Sequence, residues 1–238
     1  RFRVDHDVLR ALPAGLQRAV ADIRLKGLLS VDGALDIYTT APREVTLPGG
    51  RSEVVPGPAA AAWDMQLDLE QATLDAGVPL EHVSGGIRLR GASDGEAWRT
   101  LGDVAIDTAT WRGVHLTVLR GPLAIDAAGA RFGAPAAVVS EPGSPRRLTA
   151  QLAGGTLQLD ADVAPGEAGQ FTVGLALADV DLERLAGDLL GGPSASRGRV
   201  HGAIEVSGTR SGTHSLAGRG QVRLRDANLY ELPVIVSL

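Results

Sequence analysis

GGIRLRG (Gly85–Gly91) decides the fold, because its middle alternates apolar with charged residues: Ile87 and Leu89 against Arg88 and Arg90. Alternation with a period of two places one residue set on each face of a β-strand. The same phrase returns in RGVHLTVLRG (Arg112–Gly121), GGTLQLDADV (Gly154–Val163), QFTVGLAL (Gln170–Leu177) and GQVRLRDANL (Gly220–Leu229). Trp63, Met65, Leu67 and Leu69 alternate in the same way with Asp64, Gln66, Asp68 and Glu70. Glycine or a polar turn bounds each phrase. The chain is therefore expected to be mainly β, about twelve to fourteen strands in a long curved antiparallel sheet with one oily and one wet face.

Composition narrows what such a sheet can do. The chain has 238 residues, 44% of them hydrophobic but only 3% aromatic, so its apolar surface is aliphatic. Scarce aromatics and a net charge of −5 count against nucleic acid, whose single strands bind by stacking and whose backbone wants cations. Thirty-one Gly and thirteen Pro suit many strands joined by many turns. The absence of cysteine excludes a disulfide framework and thiolate zinc sites. No apolar run approaches the roughly 20 residues of a membrane-spanning helix, and no signal peptide is present. Arg1 at the start and the apolar LPVIVSL at the end read as the limits of a segment of a longer protein.

Other elements interrupt the strands. AGLQRAVADI (Ala14–Ile23) has Leu16, Ala19, Val20 and Ile23 at helical spacing. DLERLAGDLL (Asp181–Leu190) is a second helix, capped by Asp181, with Leu182, Leu185, Leu189 and Leu190 on one side. Tyr230–Leu238 reads as the start of a third helix. A turn is expected at Asp32-Gly33. Ala41–Ala62, with four prolines and Gly49-Gly50, reads as a long hairpin loop or linker. Residues 1–62 form an N-terminal strand–helix–strand unit with this loop, and residues 63–238 the repeating sheet.

No catalytic set emerges, and the chain is read as not an enzyme. Of the five histidines, His6, His82, His115, His201 and His214, none sits four residues from another. Alternation turns His6 away from Asp5 and Asp7. Asp160 with Asp162, and Asp179 with Asp181, are same-face carboxylate pairs whose simpler role is a solvated strand face and a helix cap. There is no nucleophile elbow or phosphate-binding lysine loop, and GRGQVR (Gly218–Arg223) lacks the third glycine of a dinucleotide site. No metal ligand set and no cofactor is expected.

The order of the segments resembles the AsmA-like superfamily, which includes the TamB-type envelope proteins. LADVDLERLAGDL is followed by GRVHGAIEVSG, LAGRG (Leu216–Gly220) and a strand running into ELPVIVSL. These are similar to the C-terminal region of that family, and PLEHVSGGIRLRG (Pro79–Gly91) and RLTAQLAGGTLQLDADV (Arg147–Val163) to the phrases before it. The resemblance covers most of Trp63–Leu238. It implies a repeating β-groove, a sheet curled into a trough, in a periplasmic protein anchored in the inner membrane through a segment outside this chain. It implies a role in moving phospholipid between membranes toward the outer membrane. Expected partners are phospholipid or another acyl-chain lipid, adjacent repeats of the same chain and envelope membrane proteins, with no nucleic acid. No catalytic residue is implied.

The residues expected to line the trough are Trp63, Met65, Leu67, Leu69, Ile87, Leu89, Val114, Leu116, Val118, Leu157, Leu159, Phe171, Val173, Leu175, Val222 and Leu224. Val114, Leu116 and Val118 are placed on one face, and His115, Thr117 and Leu119 on the other. About twelve strands at roughly 4.8 Å would give a trough on the order of 55–60 Å. The alternative is a β-sandwich scaffold of the envelope in which the same residues form a closed core. A carbohydrate-binding or hydrolytic sandwich would want exposed aromatics or clustered carboxylates, and an outer-membrane barrel aromatic girdles.

Overall fold

A computed structural model describes residues 24–39, 41–46, 48, 50–55, 57, 59–75, 79–95, 97–133, 147–166, 168–192, 194–209 and 215–228. The helices expected at Ala14–Ile23 and Tyr230–Leu238, and His6, lie outside them.

The strands are β1 (Arg24–Thr39), β2 (Arg43–Thr46), β3 (Ser52–Val55), β4 (Ala59–Asp75), β5 (Pro79–Ser93), β6 (Trp98–Trp111), β7 (Val114–Asp126), β8 (Gly129–Phe132), β9 (Leu148–Leu152), β10 (Gly155–Val163), β11 (Gln170–Asp181), β12 (Arg197–Thr209) and β13 (Ala217–Asn228), with one helix, α1 (Leu182–Leu190). Eleven strands form one antiparallel sheet, ordered as they occur in the chain, and β2 and β3 pair separately. β8 and β9 share one row: β7 and β10 each bond β8 along one part of their length and β9 along another. The eleven strands thus make ten rows, spanning about 43 Å at roughly 4.8 Å per step. This is shorter than the twelve-strand expectation because β2–β3 stands apart and β8 and β9 are one row in two pieces.

Several glycines expected to bound strands lie inside them. β5 runs through Gly85-Gly86, β7 runs through Gly121, and β1 continues through Asp32-Gly33 without a turn. A Cβ on Gly85 would sit 2.6 Å from Ile106 Cα and 2.5 Å from the Ala105 carbonyl oxygen, so only glycine lets β6 approach there. The stretch expected as a loop contains the β2–β3 hairpin and the start of β4, and the boundary drawn at residue 62 falls within β4.

The strands are longer than single phrases because irregular residues are absorbed within them. Gly27, Gln71, His82 and Val118 have positive φ in β1, β4, β5 and β7, and the β6–β7 ladder skips Asp107 opposite Val118. These positions fall in line: a Cβ on Gly27 would touch Ala72, the Gln71 amide donates to Ser84 Oγ, and Thr108 Oγ1 donates to the His82 carbonyl. The result is a crease across five neighbouring rows. At each row the alternation slips, and since all slip together the apolar side stays on one face. Asp179, Gly198 and Asp226 mark a similar irregularity in β11, β12 and β13. Two-residue turns at Arg112-Gly113 and Ala153-Gly154, all with φ > 0, close the hairpins at this creased end.

α1 connects β11 to β12 at the same end. The Asp181 carboxylate accepts from the Arg184 amide at 3.2 Å, and Gly191 ends the helix in the left-handed region with φ 69. Leu182 and Ala186 are buried and Leu185 packs with them on Val114, Leu152, Val180 and Val200. Leu189 and Leu190, expected on that buried side, are 55% and 66% exposed.

Candidate functional site

Cross-strand partners share a face of the sheet, so the register identifies each face. Val31 pairs with Leu67, Leu67 with Ile87, Ile87 with Val104, and Val104 with Gly121. Leu148 pairs with Leu159, Leu159 with Leu175, Leu175 with Ile204, and Ile204 with Gly220. The apolar face is continuous from β1 to β13. Trp63, Met65, Leu67, Leu69, Ile87, Leu89, Val114, Leu116, Leu157, Leu159, Phe171, Val173, Leu175, Val222 and Leu224 all lie on it.

Val118 does not. Its φ of 52 sits on the crease and leaves it 50% exposed, while Leu119, expected on the opposite face, packs against the main apolar cluster. Sequence alternation missed this slip, and also missed Leu123, Ile125, Leu148, Ala150 and Val180 as members of the face. The strict period of two was the signal for all five, broken only by unmarked irregular residues.

The opposite face is mainly polar, with Leu28, Leu101 and Val118 as exposed exceptions. Asp64 receives Arg88 through two hydrogen bonds, at 3.1 and 2.9 Å, and Arg90 at 3.3 Å. Those hydrogen bonds, Arg88's above all, hold the Asp64 carboxyl below the usual 3.8. Arg120 pairs with Asp107, Arg131 with Asp126, Arg147 with Asp160 and Arg219 with Glu205. Asp160 is thus engaged by an arginine, Asp181 caps α1, and Asp179 lies on a left-handed bulge facing His201 at 3.2 Å. Among the described residues no cluster of His, Asp and Glu is arranged to hold a metal ion.

Burial along the apolar face is uneven. Near the crease, Leu69, Ala72, Val83, Val104, Ile106 and Ala109 are buried, forming one cluster from β1 to β8. Away from it Met65, Leu67, Ile87, Leu89, Leu157, Leu159, Phe171, Val173 and Leu175 are only half-buried. In the outer rows Leu35, Ile37, Ile204 and Val222 are exposed. α1 packs against this face from outside the sheet.

One place on the face is polar. At the end away from α1, Trp63 lies opposite Gly91, and Gly91 opposite Thr100. Trp63 and Thr100 are 4% and 1% exposed, and Trp63 Nε1 and Thr100 Oγ1 have no hydrogen-bond partner. A buried donor or hydroxyl left unpaired costs about 1–3 kcal/mol. At the opposite end a cleft of about 490 Å³ lies beside α1 on the polar side of β7 and β9, lined by His115, Gln151, Arg184 and Asp188 among others.

Family models, curated proteins and solved structures contain no match to this chain. No helix among the described residues is long and apolar enough to cross a membrane.

Proposed function

We propose that this chain is a non-catalytic segment of an AsmA-like envelope protein whose apolar face binds lipid acyl chains and supports phospholipid transport between membranes. The observation that carries the proposal is one apolar face running unbroken across ten rows and left half-exposed over much of its area. A sandwich core would need a second layer of comparable size over that face. An acyl chain fits instead: each methylene moved out of water contributes about 0.8 kcal/mol. A bilayer core of about 30 Å holds two chains end to end, so a trough of about 43 Å exceeds the length of one. The unpartnered Trp63 Nε1 and Thr100 Oγ1 suit the ester or carboxyl oxygens at the head of such a chain. A periplasmic place, an inner-membrane anchor, adjacent repeats and envelope membrane proteins as partners belong to the same proposal, supported by the resemblance of Leu177–Leu238 to that family.

The second reading is an envelope scaffold with a closed core, favoured by the buried cluster at the crease. Organic extraction and mass spectrometry of the purified chain separate the two. Phospholipid recovered at a fixed ratio near one per chain is expected. Lipid-free protein that also fails to bind a fluorescent fatty acid supports the scaffold and overturns the conduit.

A further inference from the structure

The outermost strands of the sheet are β1 and β13, and the stretches 31–39 of β1 and 217–225 of β13 carry opposite charges, with Arg24 and Lys26 lying beyond the first and Asp226 beyond the second. On the polar face β1 carries Asp32 and Asp36, and β13 carries Arg219, Arg223 and Arg225. Asp32, Asp36, Arg223 and Arg225 have no ion-pair partner among the described residues, whereas Arg219 holds Glu205 at 2.7 Å. Arg225 stands directly opposite Arg199 and Arg223 opposite His201, arrangements that cross-strand pairing within one sheet disfavours. Residues 31–39 and 217–223 are exposed on both faces, so among the described residues nothing covers either edge.

We infer that β13 of one copy pairs antiparallel with β1 of a second copy, extending the sheet head to tail. Four independent features meet in one register. An even number of rows means that the next β1 in line runs antiparallel to β13, and both apolar faces lie on the same side. Placing Arg223 opposite Asp32 puts Arg219 opposite Asp36, because both pairs are spaced by four residues. On the apolar side the same register sets Leu224 against Val31, Val222 against Gly33, Gly220 against Leu35 and Gly218 against Ile37, so large residues mostly meet glycine.

The backbone phase agrees. The two-residue turn at Ala153-Gly154 makes Leu152 and Gly155 a hydrogen-bonded pair. Stepping outward through β11 and β12 leaves the N–H and C=O groups of residues 218, 220, 222 and 224 facing out. On the other side, the Pro122 carbonyl accepts from the Gly133 amide, so Pro122 faces β8 and its neighbours Gly121 and Leu123 face β6. Stepping from there to β1 leaves residues 31, 33, 35 and 37 facing out. These are the same pairs that the charges select. Two β13 edges paired over residues 218–224 would bring arginines together, and two β1 edges paired over residues 31–37 would bring aspartates together, whereas β13 on β1 pairs opposite charges; that contact is heterologous and grows linear chains.

The inference needs no bound lipid and is tested without any. Sedimentation velocity of the delipidated 238-residue chain at low salt should show a weight-average mass rising with concentration, and 0.5 M salt should reverse the rise by screening the exposed charges. Arg219→Asp with Arg223→Asp, and separately Asp32→Arg with Asp36→Arg, should each weaken association at least about tenfold, and an equimolar mixture of the two variants should restore it. Arg223→Asp alone leaves the Arg219–Glu205 pair intact and guards against a folding defect, with far-UV circular dichroism as the control. A monomer at every concentration overturns the inference, as does association that the charge reversals leave unchanged.

Discussion

Val118 is the residue where alternation and structure part. A β-branched side chain at φ 52 carries strain on the order of 1–3 kcal/mol. Asparagine tolerates this conformation, and the side chain is half exposed, so Val118→Asn is expected to raise stability by about 1 kcal/mol in a urea melt. A fall would mean that the valine packing outweighs the strain. Asp64 supplies a pH signature. Its carboxyl is lowered in the folded chain, so its contribution is fully present above the unfolded value near 4 and is lost as pH falls through the lower, folded one. Asp64→Asn should therefore lower the melting temperature slightly at neutral pH, and the two curves should converge as pH falls below about 4. The carboxylate is solvent-exposed, so salt should shrink the difference.

Among the elements, α1 is the one the sequence marked most plainly, through Asp181 and the leucines that follow. Removing the cap with Asp181→Ala should cost about 1 kcal/mol. Amide exchange should show the loss first in Leu182–Leu190 and then in Val114 and Leu152, which the helix covers. Equal loss across β4 and β5 would mean that the helix is not an independently opening cap. The strands were legible as faces and poorly legible as lengths. Ile87 and Leu89, Leu157 and Leu159, and Val173 and Leu175 fall on the apolar side that alternation assigns them. Their boundaries do not follow, because a glycine at a close crossing looks in sequence like a glycine in a turn. Gly85 and Gly121 serve the first purpose, Gly113 and Gly154 the second. Only the neighbouring row tells them apart.

At the scale of the molecule, one hydroxyl separates the conduit from the scaffold. Thr100 is 1% exposed with Oγ1 unpartnered on the apolar face. In a closed core Thr100→Val should be neutral or stabilising, with no other consequence. In a conduit it should also lower retained lipid several-fold, read as the lipid-to-protein ratio after extraction, while the delipidated melt stays level or rises. Unchanged lipid content would remove Thr100 from the binding face. That the apolar side is one surface was legible from composition and period. The opposed charges of its two edges were not, since no local pattern says which strands lie outermost.

The row shared by β8 and β9 has a consequence for how the protein tolerates growth. β8 ends at Phe132, and β9 takes up the same row, running in the same direction, at Leu148. Pairing on either side depends on residues 129–132 and 148–152, and the number of residues between them does not enter the register. A whole foreign domain inserted between 133 and 147 is accommodated by topology alone, provided its own ends lie close together. That interval is the natural seat for a reporter in a sheet whose edges must stay free.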